Sequence, residues 1–191
     1  MDTYKAIISR RSIRKFKQKQ IPKKVIEKIL ESARLGPSAA NLQPCEFIVV
    51  DEPERKGELF SALKWAGYIA PSGNPSKEER PLTYIVTITD SRKSKDWALI
   101  DASIAMENMI LTAWNEGIAS CWLGAIDKER IRQILAVPSY YNVEFVLALG
   151  YSAEKSVLEE YKRDVKYWKD DSGVMHVPKR SLKDIVHKNK F

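Results

Sequence analysis

Three arginines lie within five residues near the N-terminus, in residues 10–15, which read Arg-Arg-Ser-Ile-Arg-Lys and are called here the basic segment. Arginine offers permanently charged, forked donors that suit phosphate oxygens, and the Ser12 hydroxyl adds a further donor. The basic segment is therefore a candidate phosphate site. The alternative is a solvated basic surface, because residues 10–24 hold eight Lys or Arg and no acid.

A second stretch could bind a flat heterocycle. Residues 35–44 read Leu-Gly-Pro-Ser-Ala-Ala-Asn-Leu-Gln-Pro and lead into the apolar run 47–50. Gly36 and Pro37 are typical of a helix end, so residues 37–43, called here the amide loop, would present amide groups just before a buried strand. Together, the two stretches predict a phosphorylated, aromatic cofactor.

Composition indicates one globular domain, because 191 residues with 44% hydrophobic content can bury a core of ordinary size. The net charge of +7 would suit nucleic acid, an anionic membrane surface or a phosphorylated ligand, and charge alone does not choose among them. Cys45 and Cys121 lie far apart in apolar runs, which predicts two free core thiols. The first residues lack a signal-peptide pattern, so we expect a cytoplasmic protein without a disulfide.

The apolar stretch from Trp97 to Trp114 predicts a long helix. Asp101, Glu107 and Asn108 fall inside it, and three such groups would be costly within a bilayer, so a transmembrane helix is not favoured. Its apolar residues cover nearly every side of a helical wheel, which predicts burial all round. In a domain of this size, complete burial suggests a subunit interface. The apolar set comprises Leu99, Ile100, Ile104, Met106, Met109, Ile110 and Leu111.

Periodicity and end signals place the other elements. Helices are predicted over 3–9, from Pro22 to Gly36, from 51–53 to about Trp65, and after the cap Asp127; strands are predicted over 45–50, 83–89, 118–123 and 142–149. Residues 67–81 form either a loop near a ligand or an ordinary surface linker.

The C-terminal third of the sequence is harder to assign. Residues 154–177 are consistent with an extended arm, and residues 178–184 resemble a helix start with Ser181 as cap and Asp184 closing a capping box. Lys179 and Arg180, just before that start, would add charge to a helix N-terminus that could complete a phosphate site. Basic residues near a C-terminus are also commonplace, so the motif alone is weak.

Familiar nucleotide and metal signatures are missing from the sequence. No GxGxxG follows a strand and no GxxxxGK[ST] occurs, which disfavours a Rossmann or P-loop site. His176 and His187 both lie in the last sixteen residues, which gives no support to a His-based triad or a metal cluster. The chemistry is therefore expected to come from a bound cofactor.

The order of five motifs resembles the FMN-dependent nitroreductases. These motifs are RRSIRKF, GPSAANLQPCEFIVV, the apolar helix, GIASCWLG and a terminal KRSL, and the similarity spans nearly the whole chain. The resemblance implies an α+β, nitroreductase-like fold, with a mainly antiparallel central sheet flanked by helices. It also implies an intertwined homodimer with FMN at the interface. The chain would be one flavin-binding domain, residues 1–191, with residues 155–191 as an arm that reaches the partner subunit.

The resemblance also assigns the cofactor-binding residues. Arg10, Arg11, Ser12 and Arg14 would hold the FMN phosphate, ribityl chain and pyrimidine edge, with Lys179 or Arg180 closing on the phosphate. Pro37, Ser38, Ala39 and Asn41 would lie against the flavin of the partner subunit, while Gln43 braces the loop; Leu123 and Gly124 would line the ring near N5. Asn41 is the expected hydrogen-bonder to the ring. No protein residue is expected to be catalytic, and Arg14 would tune the flavin.

The implied reaction is a ping-pong hydride transfer from NADH or NADPH through flavin N5 to a small electron acceptor, such as a nitroaromatic or a quinone, without nucleic-acid or membrane partners. Two positions depart from the family pattern. The family often has two adjacent serines where this chain has Ser38-Ala39, and often an acidic residue just before the glycine where this chain has Leu123. Trp122 either belongs to the core or stacks on a ligand. Other flavin chemistry such as dehalogenation or flavin fragmentation, a non-catalytic flavin binder and, least favoured, a nucleic-acid-binding module remain alternatives.

Overall fold

The computed structural model describes residues 2–161 and 164–191. Its main sheet is antiparallel, and helices flank it, which confirms the predicted α+β class. The strands are β1 (Phe16–Lys17), β2 (Cys45–Val50), β3 (Thr83–Asp90), β4 (Ala119–Leu123) and β5 (Tyr141–Ser152). The helices are α1 (Thr3–Ser9), α2 (Lys23–Arg34), α3 (Pro53–Phe60), α4 (Ala98–Asn115) and α5 (Lys128–Ile134).

Strand β5 is the centre of the sheet. Strand β5 pairs with β3, which in turn pairs with β2, and β5 also pairs with β4 and, near its end, with β1. Alternate residues of a strand face opposite sides. Accordingly, Ile85 of β3 packs in the core cluster with α2 and α4, whereas its neighbour Val86 packs in the cluster with α3 and α5.

Gly150 of β5 is required by a close approach. A Cβ built on Gly150 would lie 2.8 Å from Cδ1 of Phe16, the first residue of β1. Phe16 is 1% exposed and packs where that Cβ would stand. Glycine at this position therefore lets the chain after the basic segment dock tightly on the sheet.

Helix α4 is not buried all round in the single chain. Met106, Met109 and Ile110 are buried against α2 and the sheet. By contrast, Leu99 and Ile100 in the first turn are 50% and 48% exposed. The expectation of complete burial is wrong for one chain, because no other described element covers the outer face of this turn.

Two further helix predictions have different outcomes. Asp127 caps α5 as expected, since its side chain accepts the Arg130 N–H at 3.0 Å. Helix α3 ends at Phe60 rather than near Trp65. The reason is tertiary: Leu63 forms a β-bridge with Ile126, which takes the chain out of the helix.

The C-terminal segment forms a small sheet of its own, in the order β6 (Ser156–Glu160), β8 (Met175–Lys179), β7 (Trp168–Lys169). Met175 is fully buried, so the expectation of an arm without core residues is wrong. Residues 162–163 of the expected arm lie outside the described residues. The expected helix start at 178–184 is only a 3-10 turn, Leu182–Asp184, because Ser181 donates its hydroxyl to the Asp184 carboxylate instead of capping an N–H.

Candidate functional site

The basic segment runs beside β4. Ser12 forms a β-bridge with Ser120, and the Ile13 N–H donates to the Ser120 carbonyl at 2.9 Å. Ile13 is 3% exposed, whereas the side chains of Arg11 and Arg14 are half-buried. The backbone of the segment is thus fixed to the sheet, and its basic side chains remain accessible.

Glu154 fixes the end of the basic segment, although the sequence reasoning did not identify it. Its Oε1 accepts the backbone N–H of Arg14 at 2.5 Å and that of Lys15 at 3.3 Å. The side chain is 4% exposed, and Oε2 lies 3.3 Å from Nζ of Lys169. Glu154 and Arg14 are 140 residues apart in the sequence, so no local pattern signals this contact.

The three guanidinium groups of the basic segment have different surroundings. Arg11 donates to the Ile8 carbonyl at 3.1 Å, and burial together with the nearby Arg10 lowers the pKa of Arg11. Arg14 lies over the Tyr167 ring, 4.6 Å from the ring centroid. Within the described residues, the side chains of Arg10 and Arg14 make no hydrogen bond or ion pair. Their N–H groups are therefore available to an anion.

A buried acid of α4 holds the amide loop. The Ala39 N–H donates to Oδ1 of Asp101 at 3.0 Å, and Asp101 is 3% exposed. Oδ2 of Asp101 is also buried and has no hydrogen-bond partner in the described part of the chain. Sequence reasoning missed this role, although an acid inside an apolar helix was a visible signal.

The amide loop adopts a strained conformation. Ala40, Asn41 and Gln43 have φ angles of 48°, 55° and 49°, a left-handed region that residues other than glycine seldom adopt. Each such residue costs roughly 1–3 kcal/mol unless its surroundings impose it. The Gln43 backbone N–H donates to the Ser38 hydroxyl at 3.1 Å, and the Gln43 side-chain amide donates to the Asn41 carbonyl at 3.3 Å. Asn41 is exposed, so the loop presents an amide side chain to solvent.

The amide loop and the basic segment lie apart within one chain. No hydrogen bond or ion pair among residues 2–161 and 164–191 joins the two. A cavity of about 570 Å³ lies beside the amide loop, between α2 and β2, and Ser38, Gln43 and Asp101 are among its lining residues. Each chain therefore carries two separate groups of the expected binding residues.

The other expected residues are also dispersed. Leu123 is 5% exposed and belongs to the core, while the following Gly124 is exposed, so the chain offers backbone rather than a leucine side chain there. Lys179 ends β8 and is exposed. Arg180 donates to the Asp184 carbonyl within the C-terminal segment. Among the described residues, no hydrogen bond or ion pair joins Lys179 or Arg180 to the basic segment.

Residues 67–81 form a loop with only two 3-10 turns, as the composition indicates, and the loop borders the basic segment. Nζ of Lys15 lies 2.9 Å from Oε2 of Glu79, and the hydrogen bond from Lys15 holds the pKa of Glu79 below its usual value. Tyr68 is 60% exposed, and its ring centroid lies 5.0 Å from that of Tyr167. Aromatic side chains therefore line the approach to Arg14.

Neither cysteine is poised as a nucleophile. Burial raises the pKa of Cys45 to about 12 and that of Cys121 to about 11, so both thiols stay protonated near neutral pH. Cys121 is buried as expected, whereas Cys45 is only half-buried. Trp122 packs edge-on against Phe145, with ring centroids 4.8 Å apart, which favours the core interpretation of this tryptophan.

Residues 2–161 and 164–191 contain no group of three His, Cys, Asp or Glu side chains placed to hold a metal ion. None of the helices in that part combines the length and the hydropathy that a bilayer crossing needs.

Two solved structures share this architecture. An FMN-dependent nitroreductase from Clostridium difficile R20291 is 34% identical, with a TM-score of 0.72, and the match covers 97% of this chain and 98% of that one. A nitroreductase with bound FMN from Bacteroides fragilis is 28% identical, with a TM-score of 0.67, and the match covers 86% and 95% of the two chains.

A curated relative and a family model agree with the structures. A protein named NADH dehydrogenase from Thermus thermophilus is 28% identical over an alignment of 190 positions, and the match covers 81% of this chain and 89% of the relative. The model of the nitroreductase family matches residues 7–151. That match includes the basic segment, the amide loop and, except for the last residue of β5, all five strands of the main sheet. The chain therefore belongs to the nitroreductase family.

Proposed function

We propose that this chain is an FMN-dependent oxidoreductase that takes a hydride from NADH or NADPH and passes electrons to a small acceptor, such as a nitroaromatic or a quinone, in a ping-pong sequence. The single observation that carries the proposal is the pair of separate half-sites. One half-site is a fixed basic segment with free guanidinium donors, and the other is a strained amide loop held by a buried acid.

The donor set of this chain fits FMN. The phosphate needs strong donors, and beside β4 the charged guanidinium groups of Arg10 and Arg11 and the hydroxyl of Ser12 supply them. The pyrimidine edge of the isoalloxazine ring needs polar groups, and Arg14 and the exposed Asn41 supply those. Bound FMN would supply the hydride chemistry at N5, which no described side chain provides.

Each part of the chain has a defined task in this proposal. The basic segment binds the phosphate and ribityl chain. Arg180 or Lys179 closes on the phosphate only in the assembled dimer, because within one chain neither of them is bonded to the basic segment. Arg14 places a permanent positive charge at the pyrimidine edge, which favours the reduced state of the cofactor. The backbone at Gly124 would line the ring near N5, and the amide loop would exclude water from the ring.

The proposal requires a homodimer, because one chain does not bring the amide loop to its own basic segment. Apolar surface beside the loop supports this assembly. Trp97, Leu99 and Ile100 at the start of α4 are 56%, 50% and 48% exposed, and Leu42 of the amide loop is 44% exposed. A second copy that covers this surface would bury it and would place its own amide loop at the basic segment.

The test starts from the absorbance spectrum of the purified protein. We expect flavin bands that bleach when NADH or NADPH is added without oxygen, and that return when a quinone or nitroaromatic follows. Light scattering should give the mass of two chains. Flavin bands that neither nucleotide bleaches would contradict the reductase and indicate a carrier or another flavin chemistry. Absence of binding even after FMN is added would overturn the whole proposal and return the basic surface to consideration as a nucleic-acid site.

A further inference from the structure

Arg14 is held at two points by residues distant in the sequence. Its backbone N–H donates to Oε1 of Glu154 at 2.5 Å, which fixes where the side chain leaves the main chain. Its guanidinium lies 4.6 Å from the centroid of the Tyr167 ring. An arginine side chain otherwise samples many rotamers, so two such contacts restrict it strongly.

The position of Tyr167 is itself fixed from two sides. Lys169, two residues further on, forms an ion pair with Oε2 of the same Glu154 at 3.3 Å, and it pairs with Met175 in the small sheet. On the other side, the Tyr68 ring lies 5.0 Å from the Tyr167 ring. Tyr167 is half-buried between these supports. Its ring is therefore a built surface and not a loose side chain beside Arg14.

A ring contact suits a residue that must bind something else. An aromatic face attracts a cation without using its N–H donors. An acidic partner would instead occupy those donors and neutralise the charge. Within the described residues, the Arg14 guanidinium has no acidic partner, although Glu154 holds its backbone from nearby. The arrangement keeps both the charge and the donors of Arg14 available.

We propose that Tyr167 is a positioning residue, which holds the Arg14 guanidinium ready for the pyrimidine edge of FMN. This inference rests on the proposed function and deepens it. The C-terminal segment, which carries Tyr167, would thus control FMN affinity and flavin potential through Arg14. Tyr167 itself need not touch the cofactor.

The test is a double-mutant cycle on FMN affinity. FMN is titrated into apoprotein of wild type, Tyr167→Leu, Arg14→Ala and the double variant, and the Kd is read from flavin fluorescence. Loss of a partly desolvated cation–π contact should weaken FMN binding by about 3- to 30-fold in Tyr167→Leu. In the Arg14→Ala background the same change should have no further effect, because the group that it positions is gone.

Two control variants separate positioning from a general structural role. Tyr167→Phe keeps the ring face and should keep the wild-type Kd. Tyr140→Leu removes a ring from beneath another arginine, Arg92, whose guanidinium lies 3.7 Å from the ring centroid on a different part of the surface. Tyr140→Leu should leave the Kd unchanged. If Tyr167→Leu fails to fold, Tyr68→Leu weakens the same support and should show a smaller loss of the same sign.

A second readout is the midpoint potential of the FMN-saturated variants. Both Arg14→Ala and Tyr167→Leu should shift it to more negative values, and Tyr167→Phe should not. A wild-type chain that binds no FMN would refute the proposed function itself. A chain that binds FMN and loses affinity in Arg14→Ala, but not in Tyr167→Leu, would overturn only this inference. Equal losses from Tyr167→Leu with and without Arg14 would overturn it as well.

Discussion

Replacement of Asp101 tests whether this buried acid shapes the amide loop. Asp101→Ala removes the acceptor of the Ala39 N–H, a hydrogen bond of 3.0 Å from a loop with three residues in left-handed conformation. A hydrogen bond to a charged acceptor is worth about 1.5–3 kcal/mol, and the strained loop can relax once it is lost. If that energy holds the loop in its binding conformation, FMN affinity should fall about 10- to 150-fold.

The free energy of unfolding should change less than the free energy of FMN binding. The variant also removes the buried Oδ2 of Asp101, which has no hydrogen-bond partner among the described residues and costs about 1–3 kcal/mol. The two contributions oppose each other. The free energy of unfolding should therefore stay within about 2 kcal/mol of the wild-type value. Urea denaturation measures the free energy of unfolding, and FMN titration of apoprotein measures the FMN affinity.

Asp101→Asn separates the hydrogen bond from the charge. The asparagine carbonyl can still accept the Ala39 N–H, so we expect FMN affinity close to that of the wild type. Glu107→Ala, which removes an exposed acid from the same helix, is the matched control and should be silent. Wild-type affinity in Asp101→Ala, or an equal loss in Asp101→Asn, would refute the idea that Asp101 acts through the loop N–H.

Three further outcomes are expected. Arg180→Ala should cost roughly 1.5–3 kcal/mol of FMN affinity as a lost charged phosphate contact, and an unchanged Kd in titration would remove it from the phosphate site. Because burial raises the pKa of Cys45 from 9.0 to about 12, the folded state keeps that proton as the unfolded state loses it. The stability from this thiol is thus complete below pH 9 and is lost as pH rises towards 12. The difference in the free energy of unfolding between wild type and Cys45→Ala, measured by urea titration, should therefore change only in that window. Gly150→Ala should destabilise by about 1–3 kcal/mol, because its Cβ would lie 2.8 Å from Phe16; an unchanged melting temperature would show that Phe16 can move away freely.

Most strands and helices could be predicted because their signals are local. The β-branched run at Thr83–Asp90 and the Asp127 cap identify elements from a few neighbouring residues. Helix α3 was predicted too long because the bridge between Leu63 and Ile126 is a contact between distant segments. The prediction from the Ser181 motif is wrong because the Ser181 hydroxyl donates to the Asp184 carboxylate instead of accepting a backbone N–H.

The candidate site shows the same division. The basic segment and the amide loop could be found from residue types and spacing alone. The residues that fix them could not: Asp101 meets Ala39 across 62 residues, and Glu154 meets Arg14 across 140. Their importance comes from burial and from backbone N–H groups that have no sequence signature. Local sequence thus identifies the binding groups, and only the fold identifies their supports.

The separation of the two half-sites within one chain has a genetic consequence. In the proposed dimer, every cofactor is shared, so the basic segment and the amide loop of one chain serve different cofactors. A chain damaged only in its basic segment and a chain damaged only in its loop are each inactive as pure dimers. When the two damaged chains pair, one shared site receives both defects and the other receives none. Two inactive alleles expressed together would therefore restore activity by subunit mixing.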